Sequence, residues 1–320
     1  MTTHVAHTAP AQKPATAFAH RWWITCDLTS TSPLGIGDGS STMGRIATPK
    51  NAENPPEINA IARNHKLEPF IPATGLKGAM RAVARNTQDD PTELVLRLFG
   101  HNPEREAGAL QRRPGAVDFH DAHFEKFEQT ENGSVGRTGL AHYAEREKTF
   151  IETSTRIDRD RGTVADRALF NDERVASGAM FKASFFVQHH DLNAGKAIVA
   201  DLLGLFEAAD TQGGLALGAD TARGNGRVKS SDRRVAYFGK DELEAWQAAS
   251  FAGTWKTAAR RVEGLKPTPF SIQPDATTLT LEIAFSGLYL VNEPSRTSKG
   301  EAAIAHTPRL NEKGDRKSVV

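Results

Sequence analysis

Cysteine is almost absent from this chain, since Cys26 is the only one in 320 residues. A single thiol excludes an internal disulfide framework and any zinc site built from several cysteines. Long hydrophobic runs are missing too, because no apolar stretch approaches the roughly 20 residues that cross a bilayer. These absences suit a reducing compartment, and we predict a cytoplasmic protein without a membrane partner.

Neither sign of charge is in excess, because 40 lysines and arginines are balanced by 39 aspartates and glutamates. Cations nevertheless cluster locally. Lys77, Arg81 and Arg85 follow one another with no acid between them, and residues 220–234 carry five cations against two acids. Such clusters occur on nucleic-acid-binding surfaces and equally on solvated helix faces, so charge alone does not separate the two.

Composition divides the chain into four parts. Residues 1–19 lack the apolar core of a signal peptide and are rich in Ala, Thr, Pro and His, which predicts a disordered leader. We predict a folded domain over 20–238 and a polar, partly helical linker over 239–275. Strong alternation follows, so 276–320 is predicted to begin a second, similar module. The alternative is a C-terminal strand that pairs back on the first domain.

Hydrophobic periodicity predicts the elements of the main domain. Strands are predicted at 22–30, 116–124, 180–188 and 226–237, and helices at 75–86, 91–100 and 194–209. Residues 35–41 (GIGDGSS) are predicted to form a turn, 40–70 an irregular excursion and 125–152 an inserted loop. The order strand, helix, strands, helix, strand predicts an α+β fold of ferredoxin-like or RRM type with long insertions.

A glycine-rich segment, LALGADTARGNGRVK, spans residues 215–229 between a predicted helix and a predicted strand. Glycine lets backbone amides approach a polyanion closely because it has no Cβ. The cations Arg223, Arg227 and Lys229 could neutralise phosphates. A simple turn with no ligand is the alternative, since most glycine-rich loops are only turns.

Two further segments argue against a simple turn. They are PFIPATGLKGAMRAVAR at 69–85 and TSTRIDRDRGTVADRALFNDERVASGAMFKASFFV at 153–187. Together with LFG at 98–100 and the glycine-rich segment, they resemble the RAMP superfamily of CRISPR-associated proteins. Within that superfamily they resemble specifically the backbone subunits of type III effector complexes. The motifs occur in family order and cover about residues 21–235.

The resemblance implies an RRM-type protein of antiviral defence that holds a guide RNA (crRNA). Its implied partners are the guide, complementary target RNA, and other effector subunits or copies of itself. A subunit that accepts any spacer should contact phosphates and sugars rather than base edges. The groups suited to this role are Gly75, Lys77, Gly78 and Arg81, then Arg223, Gly224, Asn225, Gly226 and Arg227. The start of a helix at Gly75 would direct partial positive charge toward a phosphate. A solvated helix face is the alternative for Lys77 and Arg81.

The resemblance also implies that the segment from residue 153 is a thumb, a β-hairpin inserted between guide and target. Arg156, Ile157, Asp158 and Arg159 begin the thumb, and Phe170 and Val175 anchor its return. Arg156 and Arg159 are predicted to contact RNA as well. The alternating charges could instead form a self-neutralised surface loop, and Phe170 and Val175 could simply be core residues.

Target-cleaving members of this family carry an aspartate in the loop after the first strand, which works with a divalent metal. The corresponding position here is Ala47 or Asn59, depending on the match, and neither is an acid. We therefore predict a guide-holding subunit that needs no cofactor and does not cut. If it cuts, Mg²⁺ or Mn²⁺ would be required. Asp38 is then the first candidate for the missing carboxylate, and Glu53 and Glu57 are the other nearby acids. A guide-processing nuclease would need a general base, for which His20 and His65 are the nearby options.

The remaining histidines do not predict a metal site. His120 and His123 fall on opposite faces of a predicted strand, because side chains alternate with period two. His189 and His190 diverge for the same reason. We expect all four to be ordinary surface or edge residues.

Overall fold

The computed structural model describes residues 19–43, 57–87, 91–101, 113–130, 133–134, 140, 143–144, 146–158, 160, 163–250 and 253–272. The helices are α1 (Ala73–Arg85), α2 (Pro91–Phe99), α3 (Leu192–Thr211), α4 (Lys240–Ala248) and α5 (Trp255–Ala258). The strands are β1 (His20–Ser30), β2 (Gly37–Met43), β3 (Glu57–Ile61), β4 (Phe70–Ile71), β5 (Gly100–His101), β6 (Arg113–Pro114), β7 (Val117–Phe119), β8 (Ala122–Phe127), β9 (Gln129–Thr130), β10 (Gly133–Ser134), β11 (Thr149–Asp158), β12 (Thr163–Val175), β13 (Ala179–His189), β14 (Leu215–Ala216), β15 (Arg227–Phe238) and β16 (Arg260–Val262). Of the helices in these ranges, none is both long enough and apolar enough to cross a membrane.

The largest sheet runs in the order β14-β15-β1-β13-β8-β4, with β16 paired to β15 and β7 paired to β13. Strand β1 is antiparallel to both β13 and β15, and β13 is antiparallel to β8. Taken as β1, β8, β13 and β15 in chain order, these strands have the spatial order 4-1-3-2. This is the split βαβ arrangement of ferredoxin-like domains, so the predicted α+β fold is confirmed.

The core lies between this sheet and the helices. Alternate residues of β1 point to the buried face, as the pleat of a strand requires. They are Trp22, Ile24, Cys26 and Leu28. Helix α3 adds Phe206, whose ring lies 5.4 Å from that of Phe185 on β13. The period-two and period-3.6 patterns therefore meet in one hydrophobic cluster.

A second sheet, in the order β11-β12-β3-β2, extends from the main one. Strands β11 and β12 form an antiparallel β-hairpin, and β3 pairs in parallel with β12. The predicted insertion of a hairpin is thus present.

The predictions of a turn at 35–41 and of an irregular excursion over 40–70 are wrong in part, because β2 and β3 are strands. Their pairing has a register shift between Gly37 and Ser41, where Gly39 has a φ of 85°. A glycine with positive φ is typical of a bulge, which lets a glycine-rich stretch still pair as a strand. The prediction missed the pairing because β3 finds its other partner, β12, more than a hundred residues along the chain.

The strand predicted at 116–124 is divided into β7 and β8 by a break at His120 and Asp121. The Asp121 carboxylate accepts the backbone N–H of Ala73 at 2.8 Å. Helix α1 therefore begins at Ala73, two residues before the predicted start at Gly75, with an acid at its first turn. The inserted loop predicted over 125–152 includes the end of β8 and the start of β11.

The described part of the predicted linker is folded onto the domain. The Trp255 ring of α5 packs against Trp23, Phe186 and Phe238, with centroid distances of 6.0, 5.6 and 5.6 Å. Strand β16 extends the sheet by pairing with β15. Thr268 then donates its backbone N–H to α3. Residues 1–18 of the predicted leader (1–19) and the whole predicted second module (276–320) lie outside the described residues.

Candidate nucleic-acid interface

The hairpin and the glycine-rich segment, both singled out from the sequence, meet at residues 31–36, which we name the β1 loop. Leu34 exchanges two backbone hydrogen bonds with Val175, at 2.9 and 2.8 Å, and so holds the base of the hairpin. The carbonyl of Ile36 accepts the N–H of Ala62, just after β3. The β1 loop therefore connects the hairpin sheet to the main sheet.

The other side of the β1 loop is bound by residues 217–226, which we name the Gly loop. Ala219 donates its N–H to the carbonyl of Gly35, and Gly226 donates to that of Pro33, both at 2.8 Å. A Cβ on Gly218 would lie 2.2 Å from the Gly35 oxygen. The close contact of the two backbones therefore requires glycine at 218.

The backbone amides of the Gly loop are used inside the protein. Gly224 donates to Thr221 at 3.1 Å and Asn225 donates to Asp220 at 3.3 Å, while Gly226 donates to the β1 loop. These amides were predicted to face a phosphate. Their internal bonds leave the side chains of the loop as its groups for binding an anion.

Two arginines of this region differ in exposure. Arg223 ends a short 3-10 turn and its side chain is 63% exposed, with its Nη1 3.7 Å from the Asp220 carboxylate. Arg227 is half-buried, and its Nη1 donates to the Gly214 carbonyl at 3.4 Å. Arg223 thus presents its guanidinium to solvent, whereas Arg227 lies along the start of β15.

Helix α1 contacts β14, the strand that leads into the Gly loop, so the two predicted RNA-binding segments are neighbours. Leu76 and Met80 bury one face of α1 in the core. Lys77 is half-buried on another face and has no ion-pair partner among the described residues. Arg81 donates through Nη2 to the Gly100 carbonyl at 3.3 Å.

The two glycines of α1 have no packing reason inside the protein. Apart from the neighbouring backbone of α1 itself, a Cβ built on Gly75 or Gly78 would meet no atom of the described residues within 4 Å, in contrast to Gly218. Glycine within a helix costs about 0.5–1 kcal/mol relative to alanine, so neither residue stabilises α1. Their effect is to leave the helix backbone open to close approach from outside.

The beginning of α1 is a weaker anion site than the sequence suggested, because Asp121 already accepts the Ala73 N–H. Over the residues that the structure describes, the N–H groups of Thr74 and Gly75 have no acceptor. A phosphate here would share the helix end with a carboxylate. Side-chain cations and the open glycines are therefore the stronger features of this helix.

The predicted thumb residues divide between the two ends of the hairpin. Arg156, Ile157 and Asp158 lie at the end of β11 away from its base, and Arg159 lies outside the described residues. Phe170 is half-buried on β12. Val175 is 3% exposed and belongs to the main core, which agrees with the alternative of a structural role.

The candidate catalytic groups do not form a metal-binding set. Asp38 is exposed on β2, where the hydroxyl and the backbone N–H of Ser40 donate to its carboxylate and lower the pKa of Asp38. Asn59 donates its side-chain amide to Asp172 at 2.8 Å, and Ala47 lies outside the described residues. Within the described ranges, no three His, Cys, Asp or Glu side chains are grouped to hold a metal ion. The donors that the structure describes therefore do not fit a resident metal.

The histidines proposed for a guide-processing nuclease have other surroundings. His20 places Nδ1 2.5 Å from the hydroxyl oxygen of Tyr237, and the two rings stack at 5.9 Å. His65 lies in the exposed turn between β3 and β4. Neither residue lies in the β1 loop or the Gly loop.

Sequence reasoning missed Arg174. This arginine follows two acids on β12 and looks like a surface residue, yet it is 1% exposed. Its guanidinium faces the carboxylates of Glu152, Asp172 and Asp220. The only available signal was its place in the motif between Phe170 and the hairpin base.

The RAMP superfamily family model matches residues 27–229, which is more than half of the 320-residue chain. No curated protein sequence matches the chain. The matched range begins within β1 and ends within β15, so it includes α1, the hairpin and the Gly loop.

Proposed function

The chain belongs to the RAMP superfamily, and from this premise we propose that it is the guide-RNA backbone-binding subunit of a type III RNA-targeting effector complex. Membership supports a CRISPR-associated, RNA-binding function. In the proposed role its partners are the crRNA, complementary target RNA, and other effector subunits or copies of the chain. Guide binding in this role needs no cofactor.

One observation carries the proposal: α1 contacts β14, the strand that leads into the Gly loop, and the two segments offer cations beside an uncovered helix backbone. Lys77 has no acid partner in the described part of the chain, and Arg223 has its nearest one at 3.7 Å. A guanidinium can bind a phosphate through two parallel hydrogen bonds. Cations and open backbone suit recognition of phosphate and sugar, which is independent of base sequence.

The direct test compares single-stranded RNAs of one length and unrelated sequence. We expect equal affinities for all of them, and an affinity that falls steeply as salt rises, because each bound phosphate releases counterions. Fluorescence anisotropy with labelled RNAs at several salt concentrations measures both. A strong preference for one base sequence, or binding that salt does not weaken, would contradict backbone recognition.

Gly78→Ala should change stability and RNA affinity in opposite directions. Alanine stabilises a helix by about 0.5–1 kcal/mol relative to glycine, and at residue 78 the added methyl meets no protein atom. The variant should therefore unfold at higher urea concentration and yet bind RNA more weakly, because the methyl stands in the approach to α1. Urea titration and anisotropy measure the two effects.

The control for Gly78→Ala is Ala197→Ser, a small enlargement on the exposed face of α3. We expect it to leave RNA affinity unchanged. If Gly78→Ala binds RNA as tightly as the unchanged protein, α1 is not part of the interface.

A second candidate function is metal-dependent cleavage of target RNA by the same subunit. The observation in its favour is the exposed Asp38 carboxylate, which the hydroxyl and the backbone N–H of Ser40 hold in place. Because no acid of the described residues groups with it to hold a metal ion, we expect labelled complementary RNA to remain intact when incubated with the assembled complex and Mg²⁺ or Mn²⁺. A ladder of products that disappears in Asp38→Asn would establish cleavage instead. Cleavage of repeat RNA by the chain alone would favour the guide-processing nuclease.

A further inference from the structure

Arg174 is a buried cation between the hairpin and the Gly loop. Its side chain is 1% exposed, and Nη1 has no hydrogen-bond acceptor among the described residues. A Cβ added to Gly35 would lie 2.9 Å from that Nη1, so the guanidinium is packed against the β1 loop. A buried charge is stable only when it is paired, which makes its partners informative.

Three carboxylates from separate segments surround this guanidinium. Nε faces Glu152 of β11, and Nη2 faces both Asp172 of β12 and Asp220 of the Gly loop. Asp172 lies at 3.4 Å and Asp220 is closer. One arginine therefore fixes the Gly loop to both strands of the hairpin.

Asp220 connects this buried cluster to the surface. One of its carboxylate oxygens contacts Arg174, and the other lies 3.7 Å from Nη1 of Arg223. Asp220 has a left-handed backbone, with a φ of 59°, and its carbonyl accepts the N–H of Arg223 at 2.9 Å and that of Asn225 at 3.3 Å. The position of Asp220 thus sets the turn that carries Arg223.

We infer that Arg174 and Asp220 are positioning residues for RNA binding: Arg174 anchors the Asp220 carboxylate, and Asp220 in turn holds the Arg223 turn toward the nucleic acid. This inference rests on the proposed function. It gives the buried cluster a role beyond fold stability, because the series of contacts from Arg174 through Asp220 ends at the exposed guanidinium of Arg223.

The decisive variant is Asp220→Asn, for which two explanations predict opposite changes in RNA affinity. Removal of a negative charge beside a polyanion site should tighten RNA binding if Asp220 only adds to the local field. Loss of the anchor should weaken binding, by about tenfold at low salt, since one phosphate contact is then poorly placed. Asparagine also tolerates a left-handed backbone, so the turn itself is not strained.

A matched control is Asp232→Asn on β15. Asp232 also has a positive φ, of 46°, and pairs with an exposed arginine two residues later, at 2.6 Å from Arg234. It contacts no buried cation in the described part of the structure. We expect Asp232→Asn to leave RNA affinity unchanged or slightly tighter.

Anisotropy titrations at several salt concentrations, with thermal unfolding of each variant, test the inference. If Asp220 has only a structural role, Asp220→Asn should lower Tm and leave the affinity and salt dependence of the folded protein unchanged. Weaker binding and a shallower salt dependence for Asp220→Asn support the positioning role. Binding equal to or tighter than that of the unchanged protein overturns it.

Two further variants separate the possible failures. Asp220→Asn should have no additional weakening effect in an Arg174→Met background, because the anchor is already lost; a full additional loss contradicts the coupling.

Arg223→Ala tests the site itself. If Arg223→Ala weakens binding and Asp220→Asn does not, only the positioning role falls. If Arg223→Ala has no effect, RNA does not bind at this loop and the proposed function falls with it.

Discussion

Replacement of both Arg223 and Arg227 by alanine should weaken guide-RNA binding by the same factor for every spacer sequence. We expect a loss on the order of tenfold to a hundredfold at low salt, because two charge-assisted contacts with phosphate are removed. The slope of log affinity against log salt should also fall in magnitude by about 1.4, since a single-stranded phosphate contact contributes about 0.7. Anisotropy titrations with several RNAs measure both quantities.

The control for this pair is the double variant Lys240→Ala and Lys266→Ala, which removes two exposed cations away from the Gly loop. It has the same change in net charge, so a general electrostatic effect would appear in both proteins. Equal salt slopes for the arginine variant and the unchanged protein would contradict phosphate binding at this loop. A loss that differs between RNA sequences would indicate contacts with base edges instead.

Gly226→Ala should destabilise the protein strongly. Gly226 has a φ of 72°, which is unfavourable for alanine, and an added Cβ would lie 1.9 Å from the Leu217 oxygen. Backbone strain and a steric clash with main-chain atoms together predict a loss of about 3 kcal/mol or more. Urea unfolding followed by circular dichroism measures the change.

Gly224→Ala is the matched comparison, because Gly224 also has a positive φ, of 87°, but has open space around its Cβ position. Strain alone should cost about 1 kcal/mol there. If Gly226→Ala and Gly224→Ala are equally stable, the contact between the Gly loop and the rest of the fold does not constrain Gly226. RNA affinity should fall with Gly226→Ala even where the protein is folded, since the cations are displaced together with the loop.

Elements with a strong local pattern could be predicted from the sequence. Strand β1 alternates buried and partly exposed residues, and α3 repeats apolar residues at helical spacing, so both were predicted within two or three residues. The order of these elements then led to the ferredoxin-like fold. Neither step depends on contacts between distant parts of the chain.

Features that depend on distant partners could not be predicted. Strand β2 has the sequence GDGSSTM, whose glycines and serines are typical of a turn, and it becomes a strand because β3 pairs with it. The amide of Gly226 looked available for a phosphate, but its acceptor, Pro33, is almost two hundred residues away in sequence. The glycine content of a segment indicates its conformational freedom, but it does not identify the groups that accept its backbone hydrogen bonds.

The same limit explains why Arg174 was missed. A charged residue between Glu173 and Val175 suggests a solvated strand surface, because isolated arginines are rarely buried. Its burial arises from carboxylates on two other segments, Glu152 and Asp220. Only the assembled fold brings these acids together.

The pairing of β16 with β15 bears on how shortened forms of the protein should be made. A fragment that stops at Phe238 would leave the edge of β15 that now pairs with β16 without a partner strand, and would uncover the aromatic rings that Trp255 now packs against. Bare strand edges beside apolar surface promote self-association. A fragment that retains the chain through residue 272 should therefore remain monodisperse at concentrations where the shorter one precipitates.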